Sequence, residues 1–261
     1  QMRLMGQFCG AWRAWDGIRG LDYLLSRPEA DAARVGVTGN SGGGTMSTYL
    51  CGLEDRFTMA APSCFVTNYL ANMENELPAD SEQIPPNIIG MGHDMSAFFI
   101  AQIPRPVLLL GQKNDYFDVR GLRQTYEELR RLYAIVGAED NVQMFVGPSD
   151  HGYKIENREA MYRWFNAVTH ISDVTGEPNL TIEKDETLWC APRGQVCELD
   201  SRPIYEFTRA KSQALAKQRP SELILSQLPP RIRDVLGLGE SDGRSAPEYR
   251  ILRNWRSRGY P

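Results

Sequence analysis

The sequence has few of the residues that mark several classes of protein. Its 261 residues include five cysteines, and no pair of them has C-x-x-C spacing, so neither a disulfide scaffold nor a zinc site is predicted. Cys190 and Cys197 flank a Pro-Arg-Gly turn and would form either a local disulfide or two free thiols. The 29 basic and 33 acidic residues are interspersed, which predicts no nucleic-acid surface. No apolar run approaches the length of a membrane span.

The sequence does contain an alternation of helix-like and strand-like segments. Apolar residues recur at helical spacing in some segments, whereas others are short apolar runs bounded by glycine or proline. The predicted helices are 12–27, 43–53, 121–136 and 158–169, and the predicted strands are 34–39, 57–63, 105–112 and 141–147. Strands that alternate with helices in this way predict βαβ units on a parallel sheet, with their loops at one edge. The fold class is therefore α/β.

Two long segments depart from this alternation. Residues 68–93 are polar and irregular, and we expect them to stay out of the core and to lie beside the site as a loop or lid. After His170 the sequence is again polar and irregular, with two amphipathic helices predicted at 201–217 and 221–236. The sequence thus predicts a catalytic region, 1–170, and a mostly helical or irregular C-terminal extension, 171–261.

The stretch "GNSGG" at Gly39–Gly43 matches the pattern G-x-S-x-G, between a predicted strand and a predicted helix. A serine in such a turn has a strained backbone and an exposed hydroxyl, and glycine neighbours let the turn close. The Gly42 N–H would begin the helix and face a developing oxyanion, while Asn40 is a possible pocket residue. The spacing fits neither a phosphate-binding nor a dinucleotide-binding loop. Ser41 is therefore a candidate nucleophile, and the alternative is a glycine-rich turn without a catalytic role.

A serine of this type needs a histidine later in the chain, and the sequence has three. His151 lies in "GPSDHGY", directly after the last predicted strand and at the edge where the loops meet. His170 falls at the end of a helix, where histidine commonly caps the dipole. His93 lies in the long polar loop and would either line the pocket or hydrogen-bond to Asp94. His151 is the predicted general base.

Two aspartates compete for the role of the acid that orients this histidine. Asp115 and Asp118 both follow the strand that begins at Arg105. Asp118 falls where the next helix begins, and aspartate is a common N-cap there. Asp115 is therefore preferred as the acid that holds one imidazole tautomer. Asp118 remains the alternative and a possible pocket residue.

Three stretches carry a family resemblance: "GVTGNSGGGTMSTYL", "RPVLLLGQKNDYFDVRG" and "DHGYKIENREAMYRWF". They resemble the α/β-hydrolase superfamily and, more narrowly, its acetyl xylan esterase-like bacterial branch. The resemblance implies a parallel sheet with flanking helices, Ser41 as nucleophile, His151 as base, an aspartate in 114–118 as acid and Gly42 as oxyanion donor. It also implies an ester of a small molecule or carbohydrate as substrate, and no metal or cofactor. The first residues, "QMRLMGQF", do not read as a signal peptide, while the bacterial branch favours a periplasmic or secreted protein.

The main departure from the superfamily concerns its N-terminal strands. About four strands usually precede the nucleophile strand, but only 33 residues precede Arg34 here. We therefore expect those strands to be absent from this chain, and missing polypeptide or a partner chain to lie beside the Arg34–Gly39 strand. That polypeptide would also supply the second oxyanion donor. Trp12, Trp15 and Leu21 would lose part of their packing surface and become exposed.

The function predicted from these residues is a serine esterase that acts through an acyl-enzyme, with a carbohydrate acetyl ester as substrate. One alternative is the same triad acting on peptides, as in prolyl oligopeptidase-type enzymes. The other is a catalytically silent hydrolase-like module that serves in binding or assembly.

Overall fold

The computed structural model describes residues 2–74, 79–219 and 227–236. Its centre is a sheet of four parallel strands, β1 (Gly36–Asn40), β2 (Met59–Ser63), β3 (Val107–Asn114) and β4 (Val142–Asp150), in the order β1-β2-β3-β4. Each strand thus lies beside the next one in the chain, and all four carboxyl ends meet at one edge of the sheet. The predicted α/β fold with a parallel sheet is confirmed.

The helices connect and follow these strands. They are α1 (Cys9–Leu25), α2 (Gly42–Leu53), α3 (Tyr69–Met73), α4 (Ser96–Ile100), α5 (Val119–Ile135), α6 (Ile155–Thr169), α7 (Asp185–Leu188), α8 (Ile204–Lys217) and α9 (Leu228–Leu236). Sequence periodicity predicted α1, α2, α5, α6 and α8 within a few residues. The short α3 and α4 were not predicted, because five residues cannot show a helical period. The predicted helix 221–236 overlaps α9, and its first residues lie outside the described part of the chain.

The core lies on both faces of the sheet. Val107 and Leu109 of β3 belong to the larger apolar cluster, whereas Leu108 and Leu110 belong to a second cluster with residues of α6. Successive side chains of a strand point to opposite faces, so a run that is apolar throughout requires cover on both sides. Removing each such side chain from water contributes roughly 1.5–3 kcal/mol, which makes β3 a firm support for the loop that follows it.

Strand β1 forms one edge of this sheet and, among the described residues, pairs only with β2. The exposure predicted for Trp12, Trp15 and Leu21 of helix α1 is found only in part. Trp15 is 59% exposed and Trp12 is half-buried. The expectation for Leu21 is wrong, because its side chain is only 3% exposed and joins the larger core cluster with Leu50 of α2.

The polar segment 68–93 contributes more to the core than its composition predicts. Tyr69 and Ile88 are buried in the larger cluster, so the expectation that this segment stays out of the core is wrong for these two residues. The segment is also tied to the N-terminal part of the chain. The Arg3 guanidinium donates to the carbonyl of Ser81 at 2.9 Å, and Tyr49 donates to the carbonyl of Glu82 at 2.7 Å.

The chain divides into two compact units, residues 2–189 and residues 190 onwards. The first unit extends beyond the predicted boundary at residue 171 because residues after α6 pack back on that helix. Glu177 forms an ion pair with Arg158 at 2.6 Å, and the carbonyl of Val174 accepts from the Asn166 side chain at 2.7 Å. In the second unit, Cys190 and Cys197 are free thiols, and the described elements are helical. None of the helices in the described ranges has the length and apolar character of a membrane span.

Candidate active site

Ser41 lies at the junction of β1 and α2 and has an unusual backbone conformation. Its φ is 59° and its ψ is −118°, and it is the N-cap residue of α2. Its N–H donates to the carbonyl of Ser63, at the end of β2, at 2.9 Å. A positive φ is costly for a residue with a side chain and is commonly kept at functional sites. The predicted sharp strand-to-helix turn is therefore present.

Two of the surrounding glycines are required by close backbone contacts. A Cβ on Gly39 would lie 2.7 Å from the carbonyl carbon of Gly43, and one on Gly44 would lie 2.3 Å from the carbonyl oxygen of Ser63. A Cβ on Gly42 or Gly43 would meet nothing within 4 Å. Gly42 is also the first residue of α2, so its N–H has no acceptor within the helix. This N–H is therefore a candidate donor to a reacting group.

His151 and Asp115 come together at the same edge of the sheet. His151 directly follows β4, and its Nδ1 lies 2.9 and 3.1 Å from the two carboxylate oxygens of Asp115. The Asp115 side chain is 1% exposed, whereas that of His151 is 23% exposed. Asp115 Oδ1 also accepts from the N–H of Phe117 at 3.0 Å. The carboxylate is thus buried and fixed, while the imidazole is partly open to solvent.

Asp118 has a different environment. Its side chain accepts from the N–H of Arg120 at 2.8 Å and caps helix α5. It also binds the Arg120 guanidinium, and this hydrogen bond lowers the pKa of the Asp118 carboxyl. The structure therefore brings Asp115, and not Asp118, to His151.

The residue after Asp115 makes a contact that sequence reasoning missed. The Tyr116 hydroxyl lies 3.0 Å from His151 Nε2, and the two rings are stacked with 4.4 Å between their centroids. Among the described residues no hydrogen bond joins His151 to Ser41. Catalytic hydrogen bonds often form only in the complex with substrate. The only sequence signal for this residue was an aromatic position next to Asp115.

Cys64 is a second residue that the sequence gave no reason to select. It follows β2, has a φ of 51° and donates through Sγ to the carbonyl of Gly152 at 3.5 Å. Burial raises the pKa of its thiol to about 12. Its sulfur, a carboxylate oxygen of Asp115 and a ring nitrogen of His151 lie within 4.8 Å of one another, and all three are possible metal ligands. The prediction that no metal takes part stays a prediction.

The remaining candidates have no hydrogen bond to His151 or Asp115 among the described contacts. Asn40 accepts from the Ser63 hydroxyl at 3.1 Å. His93 is exposed, and its backbone N–H donates to Ile88. A hydrogen bond from His93 to Asp94 is absent from the described contacts, in which Asp94 accepts from the N–H of Met95 at 2.7 Å. His170 ends α6 as its C-cap residue.

Comparison with known proteins identifies the family of the chain. The model of the prolyl oligopeptidase family matches residues 7–170. The chain belongs to the prolyl oligopeptidase family. A curated relative from Bacillus subtilis (strain 168), YtaP, which its name describes as a hydrolase, is 26% identical over 154 residues, or 58% of this chain and 51% of YtaP.

Several solved structures similar to this family member are esterases. The methylesterase BT1017 is 26% identical, with a TM-score of 0.57 over 70% of this chain and 41% of that protein. A family 15 glucuronoyl esterase from Caldicellulosiruptor kristjansonii is 17% identical, with a TM-score of 0.52 over 65% of this chain and 53% of the esterase. The chain thus spans about half the length of these relatives. The resemblance to the α/β-hydrolase superfamily is confirmed.

Proposed function

We propose that this protein is a serine hydrolase that cleaves carboxylic esters through an acyl-enzyme. The observation that carries the proposal is the contact between the buried Asp115 carboxylate and His151 Nδ1, 2.9 Å apart, at the sheet edge that also holds Ser41 in its positive-φ turn. A nucleophile, a base and a group that orients the base are the minimum set for acyl transfer.

The proposed reaction begins with proton transfer from Ser41 Oγ to His151 Nε2. Asp115 holds the Nδ1–H of His151, which fixes the tautomer and stabilises the imidazolium. Oγ attacks the ester carbonyl, and the Gly42 N–H binds the oxyanion. His151 then protonates the leaving alcohol, and water repeats the sequence on the acyl-enzyme. The Tyr116 hydroxyl has to leave Nε2 before Oγ can approach it.

The second oxyanion donor belongs to the same proposal. Gly42 supplies one N–H, and acyl-transfer sites generally use two donors. The open edge of β1 ends at Ser41, so a strand laid along that edge would bring its own backbone N–H groups to the site. We therefore assign the second donor to a polypeptide segment that pairs with β1, either elsewhere in a longer protein or in a partner chain. The proposed chemistry needs no metal or cofactor.

The proposed substrate is an ester on a carbohydrate. The structural neighbours include a methylesterase and glucuronoyl esterases, and one of the latter is described in complex with methyl 4-O-methyl-β-D-glucopyranuronate. The three stretches that resemble acetyl xylan esterases favour an acetyl group instead. Both are esters of sugars, and they differ in whether the sugar supplies the alcohol or the acid.

A peptidase is the second candidate function, and the family match favours it. The prolyl oligopeptidase model covers residues 7–170, which include all three proposed catalytic residues. The same triad would then protonate an amine rather than an alcohol. Esters are easier to cleave because their leaving groups need less protonation.

The experiment is active-site labelling followed by a substrate panel. A fluorophosphonate probe is expected to modify the protein at Ser41 and to leave the Ser41→Ala variant unmodified. The panel contains 4-nitrophenyl acetate, acetylated xylan, methyl 4-O-methylglucuronate and a prolyl amide. Hydrolysis of a sugar ester with no cleavage of the amide is the expected result. Preference for the amide would establish the peptidase, and absence of labelling in the folded protein would indicate a silent module.

A further inference from the structure

Directly beneath the proposed site lie polar side chains that do not take part in the proposed reaction. Ser63 and Asn157 are 0% exposed, and Gln112 is 1% exposed. They lie near the carboxyl ends of the central strands, on the face of the sheet that carries the second apolar cluster. Aliphatic side chains would be the ordinary choice there. Burying such groups costs about 1–3 kcal/mol unless they are hydrogen-bonded. The hydrogen bonds that these side chains form therefore decide what they do in the fold.

Asn157 links the helix after His151 to the nucleophile turn. Its Nδ2 donates to the Ser63 hydroxyl at 3.1 Å and to the carbonyl of Gly111 at 3.3 Å. The Ser63 hydroxyl in turn donates to Asn40 Oδ1 at 3.1 Å, and the Ser63 carbonyl accepts from the N–H of Ser41 at 2.9 Å. A continuous chain of hydrogen bonds therefore runs from α6 to the two residues of the turn.

Gln112 links the histidine loop to the aspartate loop. Its Oε1 accepts from the N–H of Ser149, two residues before His151, at 3.0 Å. Its backbone carbonyl accepts from the N–H of Asp115 at 3.3 Å. The Gln112 side chain thus holds the end of β4, directly before His151, while its main chain contacts the start of the loop that carries Asp115.

The two amides meet at Gly147. A Cβ on Gly147 would lie 2.3 Å from Gln112 Oε1 and 2.8 Å from Asn157 Oδ1. Among the described residues, Asn157 Oδ1 and Gln112 Nε2 have no hydrogen-bond partner. Both residues thus keep one unsatisfied polar atom, which an apolar side chain of the same size would avoid.

We infer that Gln112 and Asn157 are positioning residues for the proposed reaction. This inference rests on the proposed function. Together their side chains tie the nucleophile turn, through Ser63, to β3 before Asp115 and to the end of β4 before His151. Neither residue touches the reacting atoms. A displacement of about 1 Å in such a site can lower the rate on the order of 100-fold, so a small change in these hydrogen bonds has a large kinetic effect.

The test compares Asn157→Leu and Gln112→Met with a control that lies elsewhere. Gln102 is also buried, at 3% exposure, but it precedes β3 and donates to the Tyr133 hydroxyl at 3.2 Å. Gln102→Met therefore removes a buried amide near the amino end of β3, away from the carboxyl ends that hold the site. With active sites counted by fluorophosphonate labelling, the two site variants are expected to lose 10–100-fold in kcat with little change in KM. The control is expected to keep its kcat.

A second readout does not depend on hydrolysis. The NMR resonance of the His151 Nδ1 proton, held by Asp115, is expected to broaden or exchange faster in both site variants and to stay unchanged in Gln102→Met. Unaltered kcat per labelled site and an unaltered Nδ1 resonance would overturn the positioning role. If Ser41 is not labelled in the unsubstituted protein, the proposed function fails, and the Nδ1 resonance still decides whether the two amides position His151.

Discussion

Two aspartates three residues apart have separate roles at the scale of single side chains. Asp115 accepts from the Phe117 N–H and contacts His151 Nδ1, whereas Asp118 caps α5 and binds Arg120. The difference arises from the end of β3, which leaves Asp115 in the loop and Asp118 at the first turn of the next helix. Position relative to an element therefore decides which carboxylate can serve the histidine.

Asp115→Asn is expected to lower kcat by about 10⁴-fold with little effect on folding. The asparagine oxygen can keep the Phe117 hydrogen bond, but its amide then faces Nδ1 and favours the wrong tautomer. Steady-state kinetics on the ester that the panel identifies would measure the loss. The matched variant Asp118→Asn keeps a good N-cap residue and should retain activity. Loss of activity in Asp118→Asn alone would transfer the role of the acid to Asp118.

The residue types of the proposed triad could be selected from the sequence, but their immediate contacts could not. Ser41, Asp115 and His151 each follow a recognisable strand, so the topology alone brings them to one edge. The stacking of Tyr116 on His151 depends on the path of a loop, which no periodicity encodes. Cys64 could not be selected from the sequence, because its φ of 51° depends on tertiary packing and not on residue type. The geometry of the loops therefore could not be predicted from the sequence.

At the scale of elements, the turn between β1 and α2 depends on how closely the helix approaches β2. Gly44 lies against the carbonyl of Ser63, and that same carbonyl accepts from the N–H of Ser41. A backbone oxygen cannot move aside as a flexible side chain can. Helix α2 must therefore carry glycine at this position to keep the serine in place.

Gly44→Ala is expected to destabilise the protein by about 1–3 kcal/mol and to slow the labelling of Ser41, because the helix has to shift away from β2. Gly43→Ala is the matched control. Its Cβ enters open space, so the free energy of unfolding should stay unchanged or rise by up to about 1 kcal/mol. Urea denaturation monitored by circular dichroism measures both. Equal stability of the two variants would show that the close contact at Gly44 does not constrain the turn.

The larger elements were predictable because their signals are long or strongly apolar. The run of β3 is buried on both faces, and the 17 residues of α5 contain several helical turns. The segment 68–93 was harder to predict, since its polar composition conceals Tyr69 and Ile88, which enter the core individually. Burial of single side chains within an irregular segment leaves no period to detect.

At the scale of the whole molecule, β1 and β4 are the two outer strands of the sheet. In the parallel register of β1 with β2, Val37 and Gly39 direct their N–H and C=O groups toward β2, as the N–H of Ser41 does. Gly36, Thr38 and Asn40 direct theirs away from β2, to a side where no strand among the described residues pairs with them. An uncovered row of this kind is a template for pairing with another strand.

Hydrogen exchange can test whether polypeptide covers this edge. In the 261-residue chain as a monomer, the amides of Thr38 and Asn40 are expected to exchange much faster than those of Val37 and Gly39, because only the latter pair donate to β2. NMR-detected exchange resolves the four amides. In a longer protein or a complex that contains the proposed neighbouring strand, all four should be protected to a similar degree. Equal protection of Thr38 and Val37 in the monomeric chain would mean that this chain covers its own edge, and the second oxyanion donor would then have to come from within it.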